Sequence, residues 1–352
     1  MTAGHVRVLV TSIGGHFCYE VVDALRRAPD FSAFVVGVDA DPHARAWHVD
    51  AFAHVPHPDA SEDAYLTRLL EICDQLRVEV VIPLSEAESR AVAGARRRFE
   101  ERGIVASVSA AEVVFRMTDK GTMFEHLEAN EVDVGPWRLV GSIREAGKAL
   151  EALGYPARPV VLKQRRGSGS RGIIIVDAAV EEFTPLLPDR FCGRGAWTAV
   201  RDELHRRGCL LDAYLAMPYY GSHVFDVDCL AREGSPMLVV PRLRQYINPL
   251  SPVNEGCCVT RNDAIERYAS TLTQAFSVDG VCDFDVALSD DGRPRLLDAS
   301  CRLSGSVGAA VAAGVNVPAE LVRLLTKRPL LESQPPAAPI QVRPVPRFVR
   351  VR

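Results

Sequence analysis

The chain has 352 residues, of which 47% are apolar and 24% charged, and a net charge of −4 at neutral pH. That length exceeds one ordinary core and implies two or three domains, and the mild acidity argues against a nucleic-acid binder held by a basic face. No run of about 18 apolar residues occurs, so no segment is expected to span a membrane, and the opening MTAGHVRVLVTS lacks the charged start, long apolar stretch and small-residue cleavage site of a signal peptide.

Residues 6–10 (VRVLV) read as a short apolar strand, followed by the turn TSIGGH and a helical pattern over 19–27. Residues 34–39 (FVVGVD) are a second strand ending in an acid. Residues 62–77 form an amphipathic helix with Leu66, Leu69, Leu70, Cys73 and Leu76 on one side. A third strand (78–83), a charged helix (86–102) and a fourth strand (104–108) follow. Alternation of this kind implies a parallel sheet with helices on both faces. Gly14, Gly15 and Asp39 resemble part of a dinucleotide-binding start, but the full G-x-G-x-x-G is missing. The other reading is a structural sheet that lends a surface to another pocket.

Near residue 110 the pattern changes. Residues 110–130 are mostly helical and 142–153 form a helix with Ser142 as N-cap. Residues 159–163 (PVVLK) are a strand running into QRRGSGSRG, and 173–176 are another. Residues 184–195 are irregular, 197–207 helical, and 209–215 (CLLDAYL) a strand. Strands at 223–230 and 237–243, a helix at 262–276 and a last helix at 318–326 complete the series, before a Pro- and Arg-rich tail at 333–352 that forms a peripheral strand or a loose end. The nine cysteines contain no C-x-x-C and many lie in apolar runs, which fits reduced, buried thiols in a cytoplasmic protein, with Cys257 and Cys258 there for packing.

The most informative stretch is 281–306, VCDFDVALSDDGRPRLLDASCRLSGS. Two alternating runs around Asp290-Asp291-Gly292 read as a β-hairpin. With Asp291 and Gly292 as the turn pair, Asp290 faces Arg293, Asp285 faces Asp298 and Asp283 faces Ser300. Alternation then puts Asp283, Asp285, Asp298, Ser300 and Arg302 on one face. Like charges directly opposite each other destabilise a sheet, and a divalent cation turns that repulsion into coordination. A solvated hairpin with scattered acids is the other reading, and Pro294 implies an edge or a bulge.

Lys163 closes an apolar strand and precedes the loop Gly167, Ser168, Gly169, Ser170, Arg171, Gly172. Glycines let backbone N–H groups approach an anion, and the order is not that of a P-loop. A flap over a triphosphate and an ordinary Gly-Ser hairpin loop are both open. Lys120, in TDKGT, is either a phosphate contact or a solvated lysine. Arg242 and Arg244, in PRLRQY, can clamp a carboxylate or serve the structure. Asn254 and Glu255 are weaker candidates for an amine contact, and His16 for a substrate contact.

Taken in order, Lys120, Lys163 with its flap, the apolar segment 210–215 and the hairpin ending in D-x-S-x-R-x-S-G-S resemble the ATP-grasp superfamily. The likeness is to the carboxylate–amine ligases, in the branch of the carbamoyl-phosphate synthase large chain and the pyrrolysine-biosynthesis ligase. Residues 8–15 (VLVTSIGG), 36–39 (VGVD) and 80–83 (VVIP) resemble the pre-ATP-grasp domain. Asp119-Lys120 and Val134-Gly135-Pro136 resemble the start of the grasp, and 296–302 (LLDASCR) resembles the family's E-x-N-x-R. The resemblance implies a mixed α/β and α+β chain. Residues 1–109 would be a Rossmann-like, parallel-sheet pre-ATP-grasp domain. Residues 110–330 would be a two-lobed ATP-grasp fold with a small flap lobe at about 138–212, and 331–352 a tail.

It also implies ATP and Mg²⁺ (or Mn²⁺) as cofactors, and small-molecule carboxylate and amine substrates, amino acids among them. No nucleic acid or membrane partner follows from it, and a homodimer is left open. Lys120 and Lys163 would bind ATP phosphates under the flap Gly167, Ser168, Gly169, Ser170 and Gly172. Asp212, Ala213 and Leu215 would form the hinge near adenine and ribose. Asp285, Asp298 and Ser300 would hold one or two metal ions, and Arg302 would face the transferred or acyl phosphate. Arg242, Arg244 and Arg302 would meet substrate. The expected product is an amide formed through an acyl phosphate, with ADP and phosphate released; a nucleotide-binding protein without turnover is the alternative.

Where the family has glutamate this chain has Asp298, and where it has asparagine, Ser300. The hinge acid is Asp212 instead of glutamate, and Val224 stands where an acid often precedes the aromatic Phe225. No biotin-attachment or glutaminase segment is present, so complete carbamoyl-phosphate synthase activity is not expected.

Overall fold

The computed structural model describes residues 4–44, 46–167, 172–186, 191–245, 256–331 and 334–345. The first unit alternates strand and helix: β1 (Gly4–Val10), α1 (Cys18–Arg26), β2 (Phe31–Asp39), β3 (Ala51–His54), α2 (Glu62–Leu76), β4 (Val80–Ile82), α3 (Glu86–Gly94), α4 (Arg96–Glu100) and β5 (Val105–Ala106). The five strands pair in parallel in the order β3-β2-β1-β4-β5. Helix α2 starts where the Ser61 hydroxyl accepts from Ala64 N–H and buries Tyr65, Leu66, Leu69, Leu70, Ile72 and Cys73. The helix expected over 86–102 is two, parted at Ala95 just after Gly94, the poorest helix former in the run. Strand β3 was not anticipated: AFAH is short and alternates half-buried with exposed, as an edge strand does.

Two helices, α5 (Ala111–Met117) and α6 (Lys120–Ala129), lead into a second sheet. Its elements are β6 (Arg138–Val140), α7 (Ile143–Ala152), β7 (Val160–Gln164), β8 (Ile174–Val176), β9 (Thr184–Pro185), β10 (Gly193–Gly195), α8 (Trp197–Arg206) and β11 (Tyr214–Pro218), with strand order β6-β11-β7-β8-β10-β9. Ser142 caps α7 as expected, accepting from Glu145 N–H. The stretch expected to be a strand over 209–215 begins as a turn. Leu211 has φ +55° and Leu210 is 68% exposed, and the strand starts only at Tyr214. Gly208, also at positive φ, ends α8 there, so the apolar run is read by the turn before it can extend.

The third sheet is antiparallel throughout: β12 (Val224–Arg232), β13 (Ser235–Arg244), β14 (Cys257–Val259), β15 (Gly280–Leu288), β16 (Pro294–Ser300) and β17 (Ile340–Val342), in the order β16-β15-β12-β13-β14-β17. Helix α9 (Asp263–Phe276) packs on it, with α10 (Gly308–Ala312) and α11 (Val317–Leu325) following the hairpin. The tail thus supplies an edge strand through β17. One apolar cluster joins Val8, Val10 and Ile82 of the first sheet to Leu230, Val240, Leu303, Val307 and Leu321. That shared core sets the carboxyl ends of β1 and β4 against the loop after β16. All nine cysteines are free, and every one but Cys209 is buried. No helix among the described residues is long and apolar enough to cross a membrane.

Candidate active site

Two departures from an ideal hairpin bring the acids together. Ser289 N–H donates to Arg293 O at 3.0 Å and Gly292 N–H to Ser289 O at 2.8 Å, so the loop is the three residues Asp290 to Gly292. Gly292 takes φ +76°, the left-handed position such loops require. Leu288 therefore faces Pro294 and Val286 faces Leu296, one residue off the expected register. Continued, that register would set Leu297 against Asp285. Instead Leu297 bulges out, and pairing resumes with Asp285 opposite Asp298 and Asp283 opposite Ser300, as expected. The bulge also frees the Leu297 carbonyl, which accepts from Lys163 Nζ at 3.1 Å.

The acidic face is wider than the hairpin. Asp226 pairs in register with Asp285, Asp228 pairs with Asp283, and Arg242 stands opposite Asp226. Arg242, Asp226, Asp285 and Asp298 thus form one row across four strands. Asp228, Asp283 and Ser300 form the next. Asp226 and Asp228 were not singled out from sequence; the matching D-x-D of VFDVD and CDFDV was the available signal.

Cations hold these carboxylates together. Lys120 Nζ lies 3.0 Å from Asp298 Oδ1 and donates to Gly167 O at 2.9 Å, so it links the flap's base to the acidic strand. Arg244 bridges Asp226 and Asp285, the latter at 2.7 Å. Arg242 is fully buried, with Nε 2.8 Å from Asp228 and Nη1 donating to Ser306 O at 3.0 Å. The expected role of Arg242 as a substrate clamp is therefore corrected: it is the counter-ion of a buried acidic cluster, shut off from any ligand. Arg244 serves Asp226 and Asp285 in the same way. Burial works to raise Asp226, but Arg244 and Arg242 outweigh it and hold it at about 2. Burial pushes Asp285 up to about 6 against the pull of Arg244. Burial, then Asp228, Asp285 and Asp226, lift Asp283 well above the ordinary carboxylate range.

Lys163 is buried near the carboxyl end of β7, opposite Leu215, and burial pulls it down to about 8. Asp119 caps α6 by accepting from Gly121 and Thr122 N–H, and holds Arg165 and Arg166 at 3.0 Å each, so the residue before Lys120 pins the segment after Lys163. Beside them lies a cavity of about 310 Å³ lined by Asp119, Gln164, Arg165, Arg166, Asp212, Ala213 and Tyr214. Ala213 O accepts from Arg165 N–H at 2.8 Å, while the Leu215 side chain is buried in the core. Gly172 opens β8 at φ +68°, where a Cβ would strike the Gln164 side chain. Ser168, Gly169 and Ser170 lie outside the described residues, as do Asn254 and Glu255. His16 is exposed. Arg302 donates to Leu303 O at 2.9 Å and forms no ion pair with a described residue.

The partial dinucleotide-binding signature is used locally. Asp39 accepts from Gly14 N–H and Asp41 N–H at 2.9 Å each, so its carboxylate ties the loop after β1 to the loop after β2. Among the described residues no three His, Cys, Asp or Glu side chains converge to hold a cation unaided. Asp285 and Asp298 nonetheless face each other, a two-carboxylate set of the kind that binds Mg²⁺ together with phosphate oxygens. The Ser300 hydroxyl is buried without a hydrogen-bond partner one row away, opposite Asp283.

Residues 211–348 match the family described as ATP-grasp in the biosynthetic pathway with Ter operon, and residues 8–107 match the PylC-like N-terminal domain. A search of curated protein sequences gives no match. Among solved structures, the chain is similar to the ADP complex of N5-carboxyaminoimidazole synthetase from Staphylococcus aureus. There the identity is 12% and the TM-score 0.68, over 95% of this chain and 80% of that one. It is also similar to the biotin carboxylase domain of 2-oxoglutarate carboxylase from Hydrogenobacter thermophilus, solved as a dimer with MgADP, ADP and bicarbonate, with 18% identity, TM-score 0.65 and coverage of 93% and 71%. The L-amino acid ligase of Bacillus licheniformis gives 12%, 0.62, 92% and 74%.

Proposed function

Because the chain is an ATP-grasp protein, we propose that it is an ATP-dependent ligase that joins a small-molecule carboxylate to an amine. The observation that carries this is the meeting of Lys120, Lys163, Asp285 and Asp298, from four separate elements, beside a cavity at the hinge. Phosphoryl transfer needs charge neutralisation and alignment more than covalent help. In this reading residues 1–109 are the pre-ATP-grasp domain, 110–330 the grasp with the flap lobe at about 138–212, and 331–352 the tail.

The adenosine half of ATP occupies the cavity against Asp212, Ala213 and Tyr214. Lys120 and Lys163 meet the phosphates beneath the flap at 167–172. Asp285 and Asp298, with Ser300 behind them, are the residues that would hold Mg²⁺ or Mn²⁺, which when bound neutralises phosphate charge. Arg302, which forms no ion pair with a described residue, orients the substrate carboxylate. A carboxylate oxygen attacks the γ-phosphorus, the β–γ bridging P–O bond breaks, and ADP leaves. The neutral amine nitrogen then bonds to the acyl carbon as the acyl C–O bond breaks and phosphate departs, and the proton that nitrogen sheds passes to the leaving phosphate or to solvent. Alignment and electrostatics can each lower the barrier by several kcal/mol. The similar structures are a synthetase, a carboxylase domain and an amino acid ligase, which supports a ligase reading of the shared fold.

The test is Mg²⁺-dependent ADP release from ATP, screened over pooled amino acids and small carboxylates. Release that requires the pool is expected. ATP binding with no turnover on any pool would support the nucleotide-binding alternative instead.

Lys163 gives a separate test. Its folded value of about 8 lies below the ordinary 10.5, so folding disfavours its charge, and stability is gained above about 10.5 and lost as pH falls through about 8. A bound triphosphate favours the ammonium. Nucleotide binding between those two values should therefore take up a proton. Calorimetry in buffers of different ionisation enthalpy should show it, and Lys163→Met should remove it; buffer-independent heats in the unaltered protein would contradict the phosphate role.

A further inference from the structure

The lobe built on the second sheet is joined to the third sheet by two segments of chain. Residues 130–137 lead in from α6 to β6, and residues 219–223 lead out from β11 to β12. The two segments meet. Gly135, on the way in, takes φ +75°, and a Cβ there would come within 2.4 Å of the Tyr220 hydroxyl, on the way out. A side chain at 135 would push the tyrosine out of this crossing, so glycine is what lets the segments touch.

Asp133 fastens the crossing to the rest of the molecule. Its carboxylate accepts from Gly135 N–H at 3.0 Å, and its backbone carbonyl accepts from the Tyr268 hydroxyl of α9 at 2.9 Å. The same carboxylate forms an ion pair with Arg295 of β16. The Arg295 side chain is 9% exposed and that of Asp133 is 61% exposed. Water reaches Asp133, so the pair contributes little to stability. Its place on β16 matters more. Arg295 stands two residues before Leu297, whose carbonyl accepts from Lys163 of β7 at 3.1 Å, and Asp298 comes next. Strand β16 thus holds the lobe at two points, at its entry through Arg295 and Asp133 and at Lys163 through Leu297.

Resting on the ligase reading, we propose that Asp133 and Arg295 are positioning residues: without touching a ligand, their ion pair holds the lobe where Lys163 lies against the acidic hairpin, and so governs nucleotide affinity. The lysine sits on the lobe and the acids sit on the hairpin, so their alignment is set wherever lobe and hairpin are joined. A misplacement of about 1 Å that arises far from the reacting atoms can cost about a hundredfold in rate.

The experiment is calorimetric titration of the full chain with a non-hydrolysable ATP analogue and Mg²⁺. Two variants separate the ion pair from the local turn. Asparagine keeps the turn to Gly135 N–H and loses the charge, while glutamate keeps the charge and is one methylene too long for the turn. Asp133→Asn is expected to weaken the analogue roughly tenfold. Asp133→Glu should bind it nearly as the unaltered protein does, and both should melt within about 3 °C of it. In a Lys163→Met background, Asp133→Asn should cost nothing further, whereas independent sites add. The opposite pattern, with Asn harmless and Glu damaging, would assign Asp133 to the turn and overturn the proposal. Equal losses in both variants, or losses that add to those of Lys163→Met, would also overturn it. An unaltered protein that binds no analogue removes the ligase reading and this inference together. Normal binding that is indifferent to Asp133 removes the inference alone.

Discussion

An Asp298→Ala protein is expected to fold and to release ADP on the order of a hundred- to a thousandfold more slowly, the usual loss when one preorganised electrostatic group is taken from a phosphoryl or acyl transfer site. Asp298 is where the separate parts of the site converge. It pairs with Lys120 at 3.0 Å, faces Asp285 in register, and is the charge that most favours the ammonium of buried Lys163. Its own side chain is 35% exposed, and the buried Lys120 keeps the Gly167 carbonyl as a hydrogen-bond partner, so the loss of stability should be smaller than for a pair buried on both sides. Activity and fold should therefore separate cleanly. Thermal melting and ADP release on one preparation make the comparison; a variant keeping more than about a tenth of the rate would contradict the assignment.

Arg242→Ala should do the opposite and unfold the protein without touching a ligand. The guanidinium is fully buried among Asp226, Asp228 and Asp283. Removing one partner of a buried ion cluster costs about 3–5 kcal/mol, because the charges left behind have neither water nor a counter-ion. The deficit should have a sign in pH. Asp228 and Asp283 are both lifted above the ordinary carboxylate value of 3.8, burial being the largest cause. The folded chain thus holds protons that the unfolded chain has released, and acidification favours folding at these groups. Denaturant melts should show the deficit shrinking as pH falls. Pairing Arg242→Met with Asp228→Leu should recover much of it. A stable, active Arg242→Ala would show that the cluster is better hydrated than its burial implies.

The sequence is most legible where local rules act alone. Counting back from the turn sets Asp285 against Asp298 only because the three-residue loop and the Leu297 bulge offset each other, whereas a lysine at the end of an apolar strand is enough to single out Lys163. Legibility fails where a second strand or a second domain decides. Asp226 and Asp228 sit on a strand more than fifty residues before the hairpin, and nothing local says that their D-x-D will lie against Asp283 and Asp285. Arg242 looks like a surface clamp until its three carboxylate neighbours are known. The apolar run 209–215 has strand composition throughout, and backbone geometry at Gly208 and Leu211 overrides it.

The hairpin's loop and its bulge constrain how this chain can change length. The Asp290 to Gly292 loop adds a residue, and the Leu297 bulge adds another on the same arm, so the two offsets cancel at Asp285. A single deletion at Leu297 would remove the bulge and set Asp298 directly after Leu296, still opposite Asp285, but it would take away the displaced carbonyl that accepts from Lys163. Loss of the bulge would therefore be felt at Lys163 and not at the opposed acids, and an alignment with one gap at 297 still pairs the right carboxylates.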